Sequence, residues 1–199
     1  MLLATLLLNL YGYSQRSKEY KECAIERLNE QDFNGAIVYF TKIIELNPND
    51  SFAYFDRGMM RKEIKELEGA ISDFSRCIEM DPTNADNYFL RAMTKEDQKD
   101  YRGAVEDYTK MIELEDDNPD AYFFRAKDRV QFNDYKNAMA DYDKAILLNP
   151  HNAEYYLRRA ELKILLNQRK GGCEDYFVYK QNGEKPIKIL KACEWSQVQ

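Results

Sequence analysis

The sequence predicts an all-α protein assembled from stacked helical hairpins, and three observations carry that prediction. The first is a period: Tyr20, Tyr54, Tyr88, Tyr122 and Tyr156 follow one another at steps of 34 residues, as do Ala24, Gly58, Ala92, Ala126 and Ala160. The same step links Ala36, Ala70, Ala104, Ala138 and Gly172, and it links Phe40, Phe74, Tyr108, Tyr142 and Tyr176. Self-similarity at that length marks a repeat architecture. The second is the spacing inside each period. With position 1 at Ser17, apolar and small residues fall at positions 4, 8 and 11 or 12, then at 17, 20, 21, 24, 27 or 28 and 30, which is helical spacing on two segments. The third is punctuation. Glu30-Gln31-Asp32, Gln98-Lys99-Asp100 and Asn133-Asp134 break the two segments apart. Asn47-Pro48, Asp81-Pro82 and Asn149-Pro150 end the second, because the residue before Pro avoids the helical region.

Taken in chain order, residues 1–16 stand outside the period. Met1 to Leu10 form an apolar run of the length of a signal-peptide core, too short for a spanning helix, which needs roughly 20 apolar residues. Gly12 and Ser14 suit the small-residue sites of a signal peptidase cut that would leave Gln15 first. No Lys or Arg precedes the run, so two readings stand: an export leader behind a misplaced start, or an amphipathic lead-in packed on the first repeat. The expectation is export, to the periplasm or outside the cell, with the cytoplasm as the alternative. Five units then follow, at 17–50, 51–84, 85–118, 119–152 and 153–186. Small residues at positions 8 and 20 let the two helices of a hairpin approach closely. A lone hairpin of this size cannot bury its apolar stripe, so neighbours stack and the ends need caps.

Composition narrows the function. Hydrophobic residues make up 44% and aromatics 13% of the 199 residues, enough to fill a sizeable core, and charged residues reach 32% in mixed order. With 29 basic against 35 acidic residues the net charge is −6, which argues against nucleic acid. One His and four Cys leave little material for a metal site or a nucleophile and base pair, so neither metal nor cofactor is expected. His151 reads as a solvated loop residue. The acidic stretch Glu113 to Asn118 lacks the Gly and bidentate Glu of a calcium loop.

The chain resembles the tetratricopeptide repeat family. The family's aromatic at 4, small residue at 8, Ala at 20, aromatic at 24 and Pro at 32 are matched by Tyr54, Gly58, Ala70, Phe74 and Pro82. Tyr122, Ala126, Ala138, Tyr142 and Pro150 match equally well. The third unit departs, with Asp116 in place of Pro and Pro119 three residues later. The fifth decays after Gly172, and residues 187–199 resemble a capping helix and tail, with Pro186 at the start and Ile187, Leu190 and Cys193 on its apolar stripe. The resemblance implies a right-handed α-solenoid whose first helices line a concave groove for peptides or partner proteins, and it implies no catalysis.

Positions 5 and 9 lie on a different face of the first helix from the core stripe. That face is also apolar, and in the family it looks into the groove. The expected partner-binding residues are Phe55, Met59, Phe89, Met93 and Phe123, with Phe124 and Lys127 beside them. The alternative is that these rings pack against adjacent first helices. The family's carboxylate-gripping subset needs cations at positions that here hold Phe55, Phe89, Met59, Met93, Glu63 and Asp97, so acidic chaperone tails are disfavoured.

Arg57, Arg91, Arg125 and Arg159 at position 7 face Asp73, Asp107, Asp141 and Asp175 at position 23 across a hairpin. The first unit has Cys23 and Tyr39 instead and loses both partners together. These are expected as structural ion pairs within a unit rather than phosphate ligands. Cys173 and Cys193 face one interface, between the last second helix and its cap, as either a disulfide or two buried thiols; Cys23 and Cys77 are expected to stay free. The functional expectation is a non-enzymatic scaffold holding a protein or peptide, or alternatively a periplasmic chaperone-like or assembly factor that shields apolar segments.

Overall fold

The computed structural model describes residues 2–182 and Cys193, with side chains from Ser14 onward. Every regular element among the described residues is a helix, with no strand: α1 Leu2–Asn29, α2 Phe33–Leu46, α3 Ser51–Glu63, α4 Leu67–Met80, α5 Ala85–Asp97, α6 Tyr101–Leu114, α7 Pro119–Gln131, α8 Tyr135–Leu148, α9 Ala153–Leu165 and α10 Arg169–Gln181. Ser51, Ala85, Pro119 and Ala153, the first residues of α3, α5, α7 and α9, are each 34 residues apart. Residues 2–16, expected as a leader, are the opening turns of α1, which continues unbroken to Asn29. The expected cap at 187–199 lies outside the described residues apart from Cys193. No described helix is long and apolar enough to cross a membrane.

Local chemistry sets the element ends. Asp32, Asp50, Asn84, Asp100, Asn118 and Asn152 each cap a helix, their side-chain oxygens accepting from a backbone N–H in the first turn, such as Gly35 N at 2.9 Å and Ala53 N at 3.1 Å. Between the two helices of each hairpin one residue turns left-handed: Gln31, Lys65, Lys99, Asn133 and Asn167, with φ of 58° to 65°. Pro119 is the first residue of α7, where its missing N–H costs nothing, so the displaced proline of the third unit becomes a helix start and the register is kept.

The chain forms two compact units, Met1–Lys99 and Asp100–Gln199. In the first, α1 to α5 pack each on the next, with Ala24, Ala36, Phe40, Ile43 and Ala53 forming the core of α1 to α3. In the second, α6 to α10 do the same around Ala126, Ala138, Tyr142, Tyr155 and Leu162, and then around Leu157, Ala160, Cys173, Tyr176 and Tyr179. The alanines at positions 8 and 20 are fully buried and the position 24 rings are nearly so; each such ring contributes roughly 1.5–3 kcal/mol on burial. At Gly172 a Cβ would stand 2.7 Å from Ile164 Cγ1, so a glycine there lets α10 approach α9.

Candidate functional site

Three position 7 arginines sit inside the hairpins against their aspartates. Arg57 donates from Nη2 to Asp73 Oδ1 at 2.7 Å and from Nε to Oδ2 at 3.0 Å; Arg125 makes the same fork on Asp141 at 2.8 and 2.9 Å, and Arg159 on Asp175 at 2.7 and 2.8 Å. Each aspartate is buried and takes a second cation from position 11: Arg61, Arg129 and Lys163. The third guanidinium nitrogen reaches back to the preceding hairpin, to Thr41 Oγ1 at 3.1 Å, Thr109 Oγ1 at 3.2 Å and Asp143 Oδ1 at 2.7 Å. The pairing expected within a unit therefore also ties one hairpin to the one before it. Arg91 belongs to the first unit, where its Nη1 donates to Ser75 Oγ at 3.0 Å; Asp107 is buried in the second. With their donors committed to carboxylates and threonine hydroxyls, Arg57, Arg125 and Arg159 are placed for structure.

The apolar face of the first unit is different in kind. Phe55, Met59, Phe89 and Met93 are half-buried, and Phe55 meets Phe74 edge-on at 6.2 Å. One turn before Phe55, Phe52 is 77% exposed. Between the starts of α3 and α5 lies an open cleft of about 710 Å³, lined by Phe52, Phe55, Met80, Asn84, Asp86 and Asn87, with Asp81 and the Asn49-Ser51 turn completing it. Beside it burial raises the pKa of Asp56, opposed by Lys21. Neither Phe52 nor Asn87 was expected at the site; an exposed ring at position 2 and an asparagine at position 3 each occur only once in the repeat.

In the second unit the position 5 ring is not a groove residue. Phe123 is 7% exposed, packed at 4.8 Å on Tyr155, 5.3 Å on Phe124 and 6.0 Å on Tyr142. This corrects the expectation for Phe123 in favour of its packing alternative, and the reason is Tyr155, 1% exposed, which covers the ring from the next hairpin. The Tyr155 hydroxyl donates to Asp120; burial raises its pKa and the Asp120 bond adds to the shift. Phe124 is half-buried, stacked on Tyr108 at 5.9 Å with Lys127 Nζ 4.9 Å from its centroid. Lys127 also borders a cavity of about 160 Å³ with Gln131, Arg158, Glu161 and Leu165.

Cys173 and Cys193 are bonded, with Cα atoms 5.3 Å apart. Cys23 and Cys77 are free, and burial pushes the Cys77 thiol up to about 11.

Models described as tetratricopeptide repeat match residues 39–72, 85–118 and 119–152, just over half of the chain. The chain belongs to the tetratricopeptide repeat family. Among solved structures this tetratricopeptide repeat protein is similar to MamA, at 18% identity over 85% of this chain and 92% of that one, with a TM-score of 0.79. It is similar to a MamA fragment from Desulfovibrio magneticus RS-1, at 14% identity over 84% and 95%, TM-score 0.78. It is also similar to YrrB, described as a TPR protein with an unusual peptide-binding site, at 13% identity over 94% and 98%, TM-score 0.74. At these identities the likeness shows the fold. No curated protein sequence matches the chain.

Proposed function

We propose that this tetratricopeptide repeat protein is a non-enzymatic scaffold that binds a partner protein or peptide through the apolar face of its first helices. The observation that carries this reading is the first unit's open cleft, where Phe52, Phe55 and Met80 present apolar surface that the core does not use. Met59 and Met93, half-buried on α3 and α5, extend the apolar side chains of that face with flexible, polarisable groups that adapt to a partner. The test is crosslinking and pull-down from the native compartment with wild type and a Met59→Glu, Met93→Glu variant. The expected result is a stoichiometric partner captured by the wild type and lost by a variant of unchanged helical circular dichroism. Equal capture by both would contradict the reading, and suppression of aggregation of many unrelated clients without a stable partner would move the function to chaperone-like shielding of apolar segments.

The protein acts after export, in the periplasm or outside the cell. The apolar run before Gly12 and Ser14 supports this reading, and so does the Cys173–Cys193 bond, since oxidising compartments preserve disulfides. Mass spectrometry of the native protein is expected to find Gln15 as the first residue and a 173–193 linked peptide. Full-length protein with both thiols reduced would contradict export.

A further inference from the structure

Phe55 and Asn87 in the first unit occupy the same repeat positions as Phe123 and Tyr155 in the second, each pair 68 residues apart. In the second unit Tyr155 lies on Phe123 at 4.8 Å and its hydroxyl is held by Asp120. In the first unit an asparagine replaces that tyrosine, no ring covers Phe55 from α5, and the cleft of about 710 Å³ stands beside both. The molecule thus contains, in its own second unit, an example of what fits on a position 5 phenylalanine: an aromatic ring.

Two further features say what else the occupant carries. Asn87 is only 3% exposed, lines the cleft, and its side-chain amide makes no hydrogen bond among the described residues. The amide is thus open to a partner in the cleft, and its two donors and one acceptor group match the C=O and N–H of an extended peptide backbone. The lining contains the carboxylates of Asp81 and Asp86 and no cation. Asp81 is kept ionised by the hydroxyl and N–H of Thr83, at 2.7 and 3.0 Å. Where the second unit has Asp120 to accept a tyrosine hydroxyl, the first has the exposed Phe52, so at that position the cleft offers an apolar ring in place of the carboxylate.

We propose that this cleft seats a phenylalanine side chain of a partner segment, on Phe55 and under Phe52, with the segment's backbone bonded to Asn87 and a lysine or arginine next to the phenylalanine facing Asp81 and Asp86. The inference rests on the scaffold reading above and names the chemistry of its partner. Burial of the ring supplies the attraction, the unpaired amide selects an extended backbone, and the carboxylates select the flanking charge.

The test is an NMR titration of the full ¹⁵N-labelled chain with the capped pentapeptide Gly-Lys-Phe-Lys-Gly. Saturable shifts are expected for the Asn87 side-chain amide, with at least tenfold weaker binding when the peptide phenylalanine is replaced by alanine or its lysines by glutamates. Asn87→Tyr, which fills the cleft with the protein's own ring as in the second unit, is expected to weaken binding at least tenfold. Phe52→Ala, at an exposed position that costs the fold little, is expected to weaken it at least threefold. Absence of saturable binding to the wild type, equal binding of the glutamate peptide, or unchanged binding by both variants overturns the inference. If the inference falls while partner capture is still lost in the Met59→Glu, Met93→Glu variant, the scaffold reading stands; if that variant also captures the partner, both fall.

Discussion

Around Phe123 the second unit is closed, and around Phe55 the first is open, although the two rings hold the same place in the repeat. The hairpin that carries each ring is built alike: a buried small residue at position 8, a buried alanine at position 20, an arginine forked on a buried aspartate, and a left-handed turn residue between the helices. What differs is the residue that the next hairpin brings, Tyr155 in one case and Asn87 in the other. The backbone lattice is fixed by small residues, caps and ion pairs, and it tolerates either. Whether a position 5 ring is core or surface is therefore decided one hairpin away, at a position the lattice leaves free to vary.

The comparison makes a strong prediction about truncation. Phe123→Ala removes a fully packed ring and is expected to cost about 3–5 kcal/mol of unfolding free energy. Phe55→Ala, at the equivalent open site, is expected to cost about 1–2 kcal/mol, since its ring is only half-buried. Urea unfolding of the two variants checks this, and equal losses would break the distinction between the sites. Next in size is the bond that staples the closed unit: Cys173→Ser opens a loop spanning a separation of 20 residues, at a cost of about 3 kcal/mol in the chain-entropy model. Thermal unfolding without reductant, against wild type with and without it, measures that cost. A smaller loss, about 1 kcal/mol, is expected for Asp120→Ala, which leaves the Tyr155 hydroxyl without its acceptor. A spectroscopic titration of Tyr155 in that variant should then show its raised pKa falling toward the ordinary tyrosine value, because the carboxylate that adds to the burial effect is gone.

Much of the fold is legible in the residues themselves. Tyr at position 4, small residues at 8 and 20 and an aromatic at 24 recur because every hairpin meets the same close approach between helices, so the all-helical array can be read from period and spacing. The Arg57–Asp73, Arg125–Asp141 and Arg159–Asp175 pairs are visible as two residue types that are lost together in the repeat at 17–50, which has Cys23 and Tyr39 instead. Their additional partners are not visible, since Thr41, Thr109 and Asp143 share only an oxygen, and Arg61, Arg129 and Lys163 share only a charge. Phe123 shows the main limit. Its residue type and helix face are those of Phe55, and its burial depends on a contact with Tyr155, 32 residues along the chain, at a position held by alanine in Ala53 and Ala121. A pattern read one unit at a time registers the face of a helix but not what the following hairpin places on it.

The central claim is that the two sites are one site, filled in the second unit and unfilled in the first. Thermal unfolding of Asn87→Tyr tests it directly, because the substitution gives the first unit the ring that the second already has. Burying that ring against Phe55 should stabilise by about 1–2 kcal/mol, and each 1 kcal/mol corresponds to a rise of about 2–4 °C in Tm for a chain of this size. A raised Tm is the result predicted; an unchanged or lowered Tm would mean that the space beside Asn87 does not accept an aromatic ring.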